Sequence, residues 1–260
     1  MRNYLVRQSK FIFQNNVLGV VLKSRVERIR ESERQSHIEI YSNEVLYSTD
    51  SWLRKPIKTV QEITPLFEKK DNLRVLDLGC GVGRNSIFVA EQFSEIDCHI
   101  DCVDILDIAI EKLRDNAKEH KVSKNINGYV DTIENYSIAR EAYDLIIAVS
   151  SIEHVESKKV FLKKLQEIQE GIKPDGIVCL VVNSNVREKN KDTLKEVEPQ
   201  FEVNLSTDEL QSYIDDLFSE WETIKRKIDH QEYYIPRSSF TSQLATDVVT
   251  YVGRRVALTL

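Results

Sequence analysis

The sequence predicts an α/β fold: a doubly wound, mostly parallel sheet of seven strands with an antiparallel strand pair near the C-terminus and a helical N-terminal extension. From residue 73, short apolar runs alternate with amphipathic segments, which is the pattern of strand–helix units. Several runs are apolar along their whole length, as strands covered on both faces are. Two alternating segments at the end of the chain predict the antiparallel pair.

Five runs are predicted to form the parallel part of the sheet. They are 73–78 (LRVLDL), 98–104 (CHIDCVD), 126–130 (INGYV), 143–149 (YDLIIAV) and 177–182 (IVCLVV). Between them, Asp107 is placed to cap a helix with an apolar residue at every fourth position, and a second apolar stripe runs from Val160 to Ile172. The KPDG stretch after that helix predicts a turn before the next strand.

The pattern changes after Val182. The stretch 183–200 (NSNVREKNKDTLKEVEPQ) is polar and charged, which predicts a long excursion without regular structure. Ser206 and Glu209 then form a capping-box pattern that begins a helix. The segments 221–234 and 244–256 are the predicted antiparallel strand pair.

The chain divides by these patterns into an N-terminal helical extension or cap (1–55) and one larger domain (56–260). Residues 1 to 30 carry seven Lys and Arg against a single acid, Glu27, which fits a solvated amphipathic helix or, alternatively, a contact with nucleic acid or lipid. The net charge of −6 argues against a surface that binds a polyanion, so no nucleic-acid partner is expected. No oligomeric state is predicted.

Composition and cysteine usage predict a cytoplasmic protein without a membrane span. No apolar run reaches the roughly 18 residues of a spanning helix, and the N-terminus lacks the pattern of a signal peptide. Four cysteines fall in predicted strands or the glycine-rich loop, which indicates reduced core residues. Their only close spacing, Cys98 and Cys102, is not that of a metal site, and no metal is expected.

The stretch 75–86 (VLDLGCGVGRNS) places a glycine-rich loop between a predicted strand and a predicted helix. Such a loop brings backbone amides close to a ligand. The dinucleotide fingerprint G-x-G-x-x-G fails here, because its third glycine is Arg84 when counted from Gly79 and Ser86 when counted from Gly81. An NAD-dependent oxidoreductase is kept as an alternative, since such enzymes also have a glycine-rich loop after a strand and an acid further along the chain.

The pattern present is D-x-G-x-G-x-G, formed by Asp77, Gly79, Gly81 and Gly83. It resembles the first motif of the class I S-adenosylmethionine-dependent methyltransferases. The resemblance implies a Rossmann-like fold and S-adenosylmethionine as cofactor. An acid beside the glycines can serve the cofactor's ammonium group directly or through water, and the loop amides can serve its carboxylate, with Cys80 in the same loop.

Two further strand ends are predicted to contribute to the cofactor site. Asp104, followed by Ile105, ends the second strand, where a carboxylate can bind the ribose diol. After the third strand, the resemblance implies that Asp131, with Thr132, meets the adenine, although an aspartate in a loop can equally cap its own backbone. Val149, at the end of the fourth strand, completes the predicted cofactor-binding set.

The stretch 152–155 (IEHV) looks like the LEHV stretch of many small-molecule methyltransferases, and the chain has no Asn- or Asp-Pro-Pro-aromatic motif after its fourth strand. The stretches 79–86, 219–222 (SEWE) and 248–255 look most like tellurite-resistance-type and thiopurine-type methyltransferases. The superfamily resemblance covers roughly residues 56 to 255. His154 is the only histidine at the carboxyl end of a predicted strand, so it is the candidate general base, although an exposed histidine at a helix start often has no catalytic role.

The resemblance therefore implies methyl transfer by in-line displacement from S-adenosylmethionine to a small molecule with a thiol, chalcogenide, hydroxyl or amine acceptor. Three alternatives stay open: an RNA- or protein-directed methyltransferase, a non-catalytic cofactor-binding module, and the oxidoreductase.

Overall fold

The computed structural model describes residues 24–49, 51, 53–237 and 240–257. Within these ranges, eight strands form one mixed sheet, accompanied by six α-helices. The strands are β1 (Asn72–Leu78), β2 (Asp97–Asp104), β3 (Ile126–Val130), β4 (Tyr143–Val149), β5 (Ile172–Asn190), β6 (Glu196–Val197), β7 (Glu222–Pro236) and β8 (Thr241–Arg254). The helices are α1 (Arg25–Asn43), α2 (Lys58–Ile63), α3 (Arg84–Gln92), α4 (Asp107–Glu119), α5 (Lys158–Gly171) and α6 (Thr207–Leu217).

The strand order is β3-β2-β1-β4-β5-β8-β7, with β1 to β5 parallel and β8 antiparallel to both of its neighbours. The order reverses between β1 and β4, and open α/β sheets bind ligands beyond the carboxyl ends of the strands at such a reversal. The predicted doubly wound sheet is confirmed. Its seven predicted strands are joined by an eighth, the two-residue β6, which pairs with the outer part of β5.

Apolar side chains cover the sheet on both faces. Val75 of β1 belongs to one buried cluster with Ile87 of α3 and Leu113 of α4. The next residue, Leu76, belongs to a second cluster with Phe161 of α5. Consecutive residues of a strand face opposite sides, so a strand between two helical layers is apolar throughout. This arrangement explains the continuous apolar runs in the sequence.

The expectation of an irregular excursion after residue 182 is wrong for its first part. β5 continues to Asn190 and pairs with β8 as far as Asn190–Ser242, with a bulge between Ser184 and Arg187. The outer part alternates between buried and exposed residues, and its buried Glu188 is paired with Arg237 at 2.8 Å. The sequence is more polar here because an ion pair is buried at this end of the sheet beside apolar residues such as Val186 and Leu244.

Other predicted elements match the structure closely. Ser206 caps α6 by accepting a hydrogen bond from the Glu209 amide at 3.2 Å. The C-terminal strand pair is present as β7 and β8. The predicted KPDG turn is included in the first residues of β5, where Asp175 has a φ of 63°.

Helix α1 is held by polar contacts to the segment that precedes α6. It begins with a capping box formed by Ser24 and Glu27. The Arg25 guanidinium donates to the carbonyl oxygen of Phe201 at 2.7 Å, and Ser32 donates to Gln200 at 2.8 Å. The helical part of the predicted extension is thus present from residue 25, whereas residues 1–23 lie outside the described residues. The domain boundary at 55/56 stays a prediction.

None of the helices in the described ranges combines the length and apolarity that crossing a membrane requires. The four cysteines, Cys80, Cys98, Cys102 and Cys179, are buried and free of disulfides, as expected.

Candidate active site

The glycine-rich loop leaves β1 in a conformation that requires glycine. Gly79, Gly81 and Gly83 have φ values of 72°, 54° and 92°, in the left-handed region that other residues rarely adopt. A Cβ atom at Gly79 would lie 2.3 Å from the Cβ of Ser151, and one at Gly83 would lie 2.4 Å from a methyl group of Leu113. The loop therefore packs directly against the residues after β4 and against α4.

Most amides of this loop already have partners within the protein. The amides of Gly79 and Cys80 donate to the Val103 carbonyl at 2.8 and 3.0 Å, and the Gly81 amide donates to Asp104 Oδ2 at 2.9 Å. The predicted binding of a carboxylate by these loop amides is therefore not supported. Gly83 provides no side-chain cap to α3, so the first-turn amides of that helix are the better candidates.

A cavity of about 580 Å³ lies above the carboxyl ends of β1, β2 and β4. Helix α1 and Glu202 form its opposite wall. Eight predicted site residues line it: Gly79, Cys80, Gly81, Asp104, Ile105, Thr132, Val149 and His154. The other three predicted site residues, Asp77, Gly83 and Asp131, do not line the cavity.

Asp77 lies beneath the loop. Its side chain is buried, and its Oδ2 accepts a hydrogen bond from the Ser86 hydroxyl at 2.5 Å. Burial raises the pKa of Asp77 to about 6, with a further increase from the nearby Asp104. Asp77 thus joins the end of β1 to α3. Its position beneath the loop favours the second of the two predicted ways to serve the ammonium group, through water, and that role stays a prediction.

Asp104 ends β2 and holds two backbone segments. Its Oδ2 accepts from the Gly81 amide and its Oδ1 from the Leu106 amide, both at 2.9 Å. The expectation that Asp107 caps α4 is wrong, because the N-cap is Leu106 and Asp107 is the first helical residue. Each carboxylate oxygen has a second lone pair, so Asp104 retains the capacity to accept from a ligand. Burial raises the pKa of Asp104.

Asp131 caps its own backbone. Its Oδ1 accepts from the Thr132 amide at 2.8 Å, and its amide donates to the Asp104 carbonyl at 3.0 Å. This is the capping alternative to a ligand contact that the sequence left open. Thr132 and Ile133, which follow, line the cavity in its place.

His154 lies at the end of a short 3₁₀ turn after β4 and also lines the cavity. Its Nδ1 is 2.9 Å from Oε2 of Glu202 and 3.3 Å from Oε2 of Glu33. Its ring stacks on Phe201 with 5.1 Å between centroids. Burial lowers the pKa of His154, but the carboxylates of Glu33, Glu202 and Glu153 outweigh it and raise the pKa to about 9. His154 is therefore an imidazolium at neutral pH.

The sequence predicted no role for the residues around His154. Arg30 of α1 pairs with Glu134 and, at 3.4 Å, with Glu202, and it donates to the His154 carbonyl at 3.5 Å. Tyr41 of α1 covers the glycine loop, since its hydroxyl is 2.9 Å from where a Cβ of Gly81 would lie. A polar helix and a charged loop, far apart in sequence, carry these residues, and no motif links them.

Comparison with known proteins identifies the family. A methyltransferase-domain family model matches residues 69–234. A ubiquinone biosynthesis O-methyltransferase of Rickettsia canadensis is 31% identical over 121 residues, which cover 46% of this chain and 47% of the relative. The chain thus matches about half the length of that relative.

Two solved structures show the same fold at low identity. TehB from Haemophilus influenzae aligns with a TM-score of 0.53 at 18% identity over 75% of this chain and 62% of its own. A phosphoethanolamine N-methyltransferase 2 from Haemonchus contortus, solved with phosphomonomethylethanolamine and S-adenosylhomocysteine, aligns with a TM-score of 0.60 at 12% identity over 91% of this chain and 61% of its own. At these identities the matches show the shared fold, and the tellurite-resistance-type and thiopurine-type resemblances stay predictions.

The sheet order, the glycine loop at its reversal and the match over residues 69–234 lead to one family. The chain belongs to the methyltransferase-domain family, among the class I S-adenosylmethionine-dependent methyltransferases.

Proposed function

We propose that this protein transfers the methyl group of S-adenosylmethionine to a small-molecule acceptor. The observation that carries the proposal is that the glycine loop, Asp104 and His154 line one and the same cavity. A cavity of about 580 Å³ is within the usual range for small-molecule and cofactor sites.

The residues at the glycine-loop end fit the cofactor. Gly79 and Gly81 line the cavity without side chains, so a ligand can approach the backbone there. Asp104 supplies the carboxylate for the ribose diol. Ile105 and Thr132 flank that carboxylate and suit the adenine ring. When bound there, the cofactor supplies an electrophilic methyl group on a sulfonium.

The protein's main contribution to such a displacement is alignment of the acceptor and exclusion of water. Helix α1 lines the cavity on the side opposite the sheet, where it would limit the access of solvent to the methyl group. We assign the part of the cavity around His154, Glu33 and Glu202 to the acceptor and call it the acceptor end. Because the pKa of His154 is raised to about 9, it acts as a proton donor or a positive charge at neutral pH, and as a general base only in alkaline solution.

The test is product analysis with methyl-labelled S-adenosylmethionine and a library of thiols, hydroxyl compounds and amines. The expected result is a labelled acceptor together with S-adenosylhomocysteine, formed by the wild type and strongly reduced in Asp104→Ala. Binding of the cofactor with no labelled product across all three acceptor classes would instead support a non-catalytic module. Labelling of RNA or protein alone would overturn the small-molecule acceptor.

A further inference from the structure

The cavity lining carries more negative than positive charge: six carboxylates (Glu27, Glu31, Glu33, Asp104, Glu134 and Glu202) against four cations (Arg30, Arg34, Arg84 and His154), with His37 also in the lining. Around His154, at the acceptor end, the charged groups in ion pairs are Arg30, Glu33, Glu134 and Glu202. Behind them, Glu153 is 1% exposed; its Oε1 accepts two hydrogen bonds from Asn183, and its Oε2 has no hydrogen-bond partner within the described structure. An uncompensated buried carboxylate is costly, and a positive charge nearby reduces that cost.

Both cations at this end are already engaged. Arg30 is paired with Glu134 and Glu202, and His154 is paired with Glu202 and Glu33. An anionic ligand would have to break one of these pairs and would add to the negative charge. A cationic ligand can share a carboxylate that is already paired, because a carboxylate accepts several hydrogen bonds, and it reduces the negative excess.

Glu33 is the carboxylate best placed to meet such a ligand. Its side chain is 27% exposed, whereas that of Glu202 is 2% exposed and contacts both cations. Glu33 pairs with His154 through the longer contact, 3.3 Å against 2.9 Å for Glu202. It belongs to α1, the helix that lines the cavity opposite the sheet.

We propose that the methyl acceptor is an amine, held as its ammonium form against the Glu33 carboxylate. This inference rests on the proposed function and specifies its substrate class. Glu33 would set specificity through the ion pair and would also receive the proton that the ammonium group must lose before it can attack.

Burial favours the protonated form of Glu33. Burial raises the pKa of Glu33, and Glu202 adds to the increase, whereas His154, His37 and Arg237 act in the opposite direction. One proton passes from the acceptor ammonium to Glu33. The neutral nitrogen then forms a bond to the methyl carbon while the carbon–sulfur bond breaks and its electron pair stays on sulfur. The products are a methylated ammonium ion, S-adenosylhomocysteine and the protonated Glu33.

The test measures binding, so it does not require turnover. The protein is saturated with S-adenosylhomocysteine and titrated calorimetrically with matched compounds: 2-phenylethylamine against 2-phenylethanol and 3-phenylpropanoate, and cyclohexylamine against cyclohexanol. The wild type is expected to bind at least one amine about tenfold or more tightly than its alcohol partner, since hydrogen bonds to charged groups are worth about 1.5–3 kcal/mol.

Two variants separate the ion pair from general charge effects. Glu33→Gln is expected to remove the preference for the amine, and Glu33→Asp, which keeps the charge, to retain part of it. Glu44→Gln removes the same charge just beyond the end of α1, outside the cavity lining, and is expected to keep the full preference. Thermal unfolding of each variant establishes that it is folded.

The possible results separate the two proposals. No amine preference in the wild type, or an undiminished preference in Glu33→Gln, overturns the amine inference and leaves the methyltransferase proposal intact. Failure of S-adenosylhomocysteine and S-adenosylmethionine to bind the wild type overturns the methyltransferase proposal, and the inference with it. If Glu33→Gln does not fold, Glu33→Asp is compared with Glu33→Ala instead. The same preference for the amine over its alcohol partner in both variants overturns the inference.

Discussion

Nδ1 of His154 lies 2.9 Å from Oε2 of Glu202, a residue 48 positions later in the chain. Glu202 is almost fully buried, and Glu33 approaches the same nitrogen from α1. Two carboxylates beside one ring nitrogen fix the proton on Nδ1 and leave Nε2 as the nitrogen that can exchange a proton. This contact connects the end of β4 to the loop before α6 and to the helix that lines the cavity opposite the sheet.

The raised pKa of His154 makes its stabilising effect dependent on pH. Its folded-state pKa is about 9 and its ordinary value 6.5, so its contribution to folding is complete below pH 6.5 and is lost as the pH rises through 9. The charged groups around it are Glu33, Glu153, Glu202 and Arg30. We expect the loss of unfolding free energy in His154→Gln to be about 1–3 kcal/mol larger at pH 6 than at pH 10. Urea unfolding at both pH values measures it, and an equal loss would contradict the ion-pair account.

Asp77 gives a pH dependence of the same sign at lower pH, but its cause is the burial of a carboxylate and not an ion pair. Its pKa is raised by burial to about 6, so ionisation destabilises the folded protein, and stability is lost as the pH rises through 6. We expect Asp77→Asn to gain about 1–3 kcal/mol of stability relative to the wild type between pH 4 and pH 7.5. Asp115→Asn, on the exposed surface of α4, is the control. A stability difference that stays constant over this range would show that Asp77 is not destabilised by burial.

Gly79 and Ser151 are predicted to be energetically coupled. Gly79→Ala places a Cβ 2.3 Å from that of Ser151 and forces a non-glycine residue to a φ of 72°. The backbone conformation alone costs about 1–2 kcal/mol. Ser151→Gly removes the clash but also the 2.7 Å hydrogen bond from Ser151 to the Leu78 carbonyl.

We therefore expect each single substitution to destabilise the fold and the double variant to be more stable than their sum predicts, by about 1 kcal/mol or more. Denaturant unfolding of the four proteins gives this coupling. Simple additivity would mean that the loop relaxes away from Ser151.

The sequence was a good guide to the sheet and a weaker one to its polar end. Runs such as 143–149 are apolar because helices cover both faces, and this signal needs no knowledge of neighbours. The outer part of β5 carries no such signal, because Glu188 is buried only through its pair with Arg237, which lies 49 residues away.

Contacts between residues that are distant in sequence also explain which parts of the site were not predicted. The glycine motif located the loop, and strand ends located Asp104 and His154, but spacing does not tell whether a side chain lies on the cavity wall or beneath it. Asp77 and Asp131 matched the expected positions and yet bond to Ser86 and to the Thr132 amide. Glu33 and Glu202 belong to segments whose charges look like ordinary solvated surface until the fold brings them to His154.

Calorimetric titration with S-adenosylmethionine tests the central claim most directly. The wild type is expected to bind one equivalent, and Asp104→Ala to bind about tenfold or more weakly, since a carboxylate that accepts from a diol is lost. Asp107 lies three residues after Asp104, and its exposed carboxylate is paired with Arg34. The control variant Asp107→Ala is expected to bind the cofactor like the wild type. No binding by the wild type, or undiminished binding by a folded Asp104→Ala, would contradict the account.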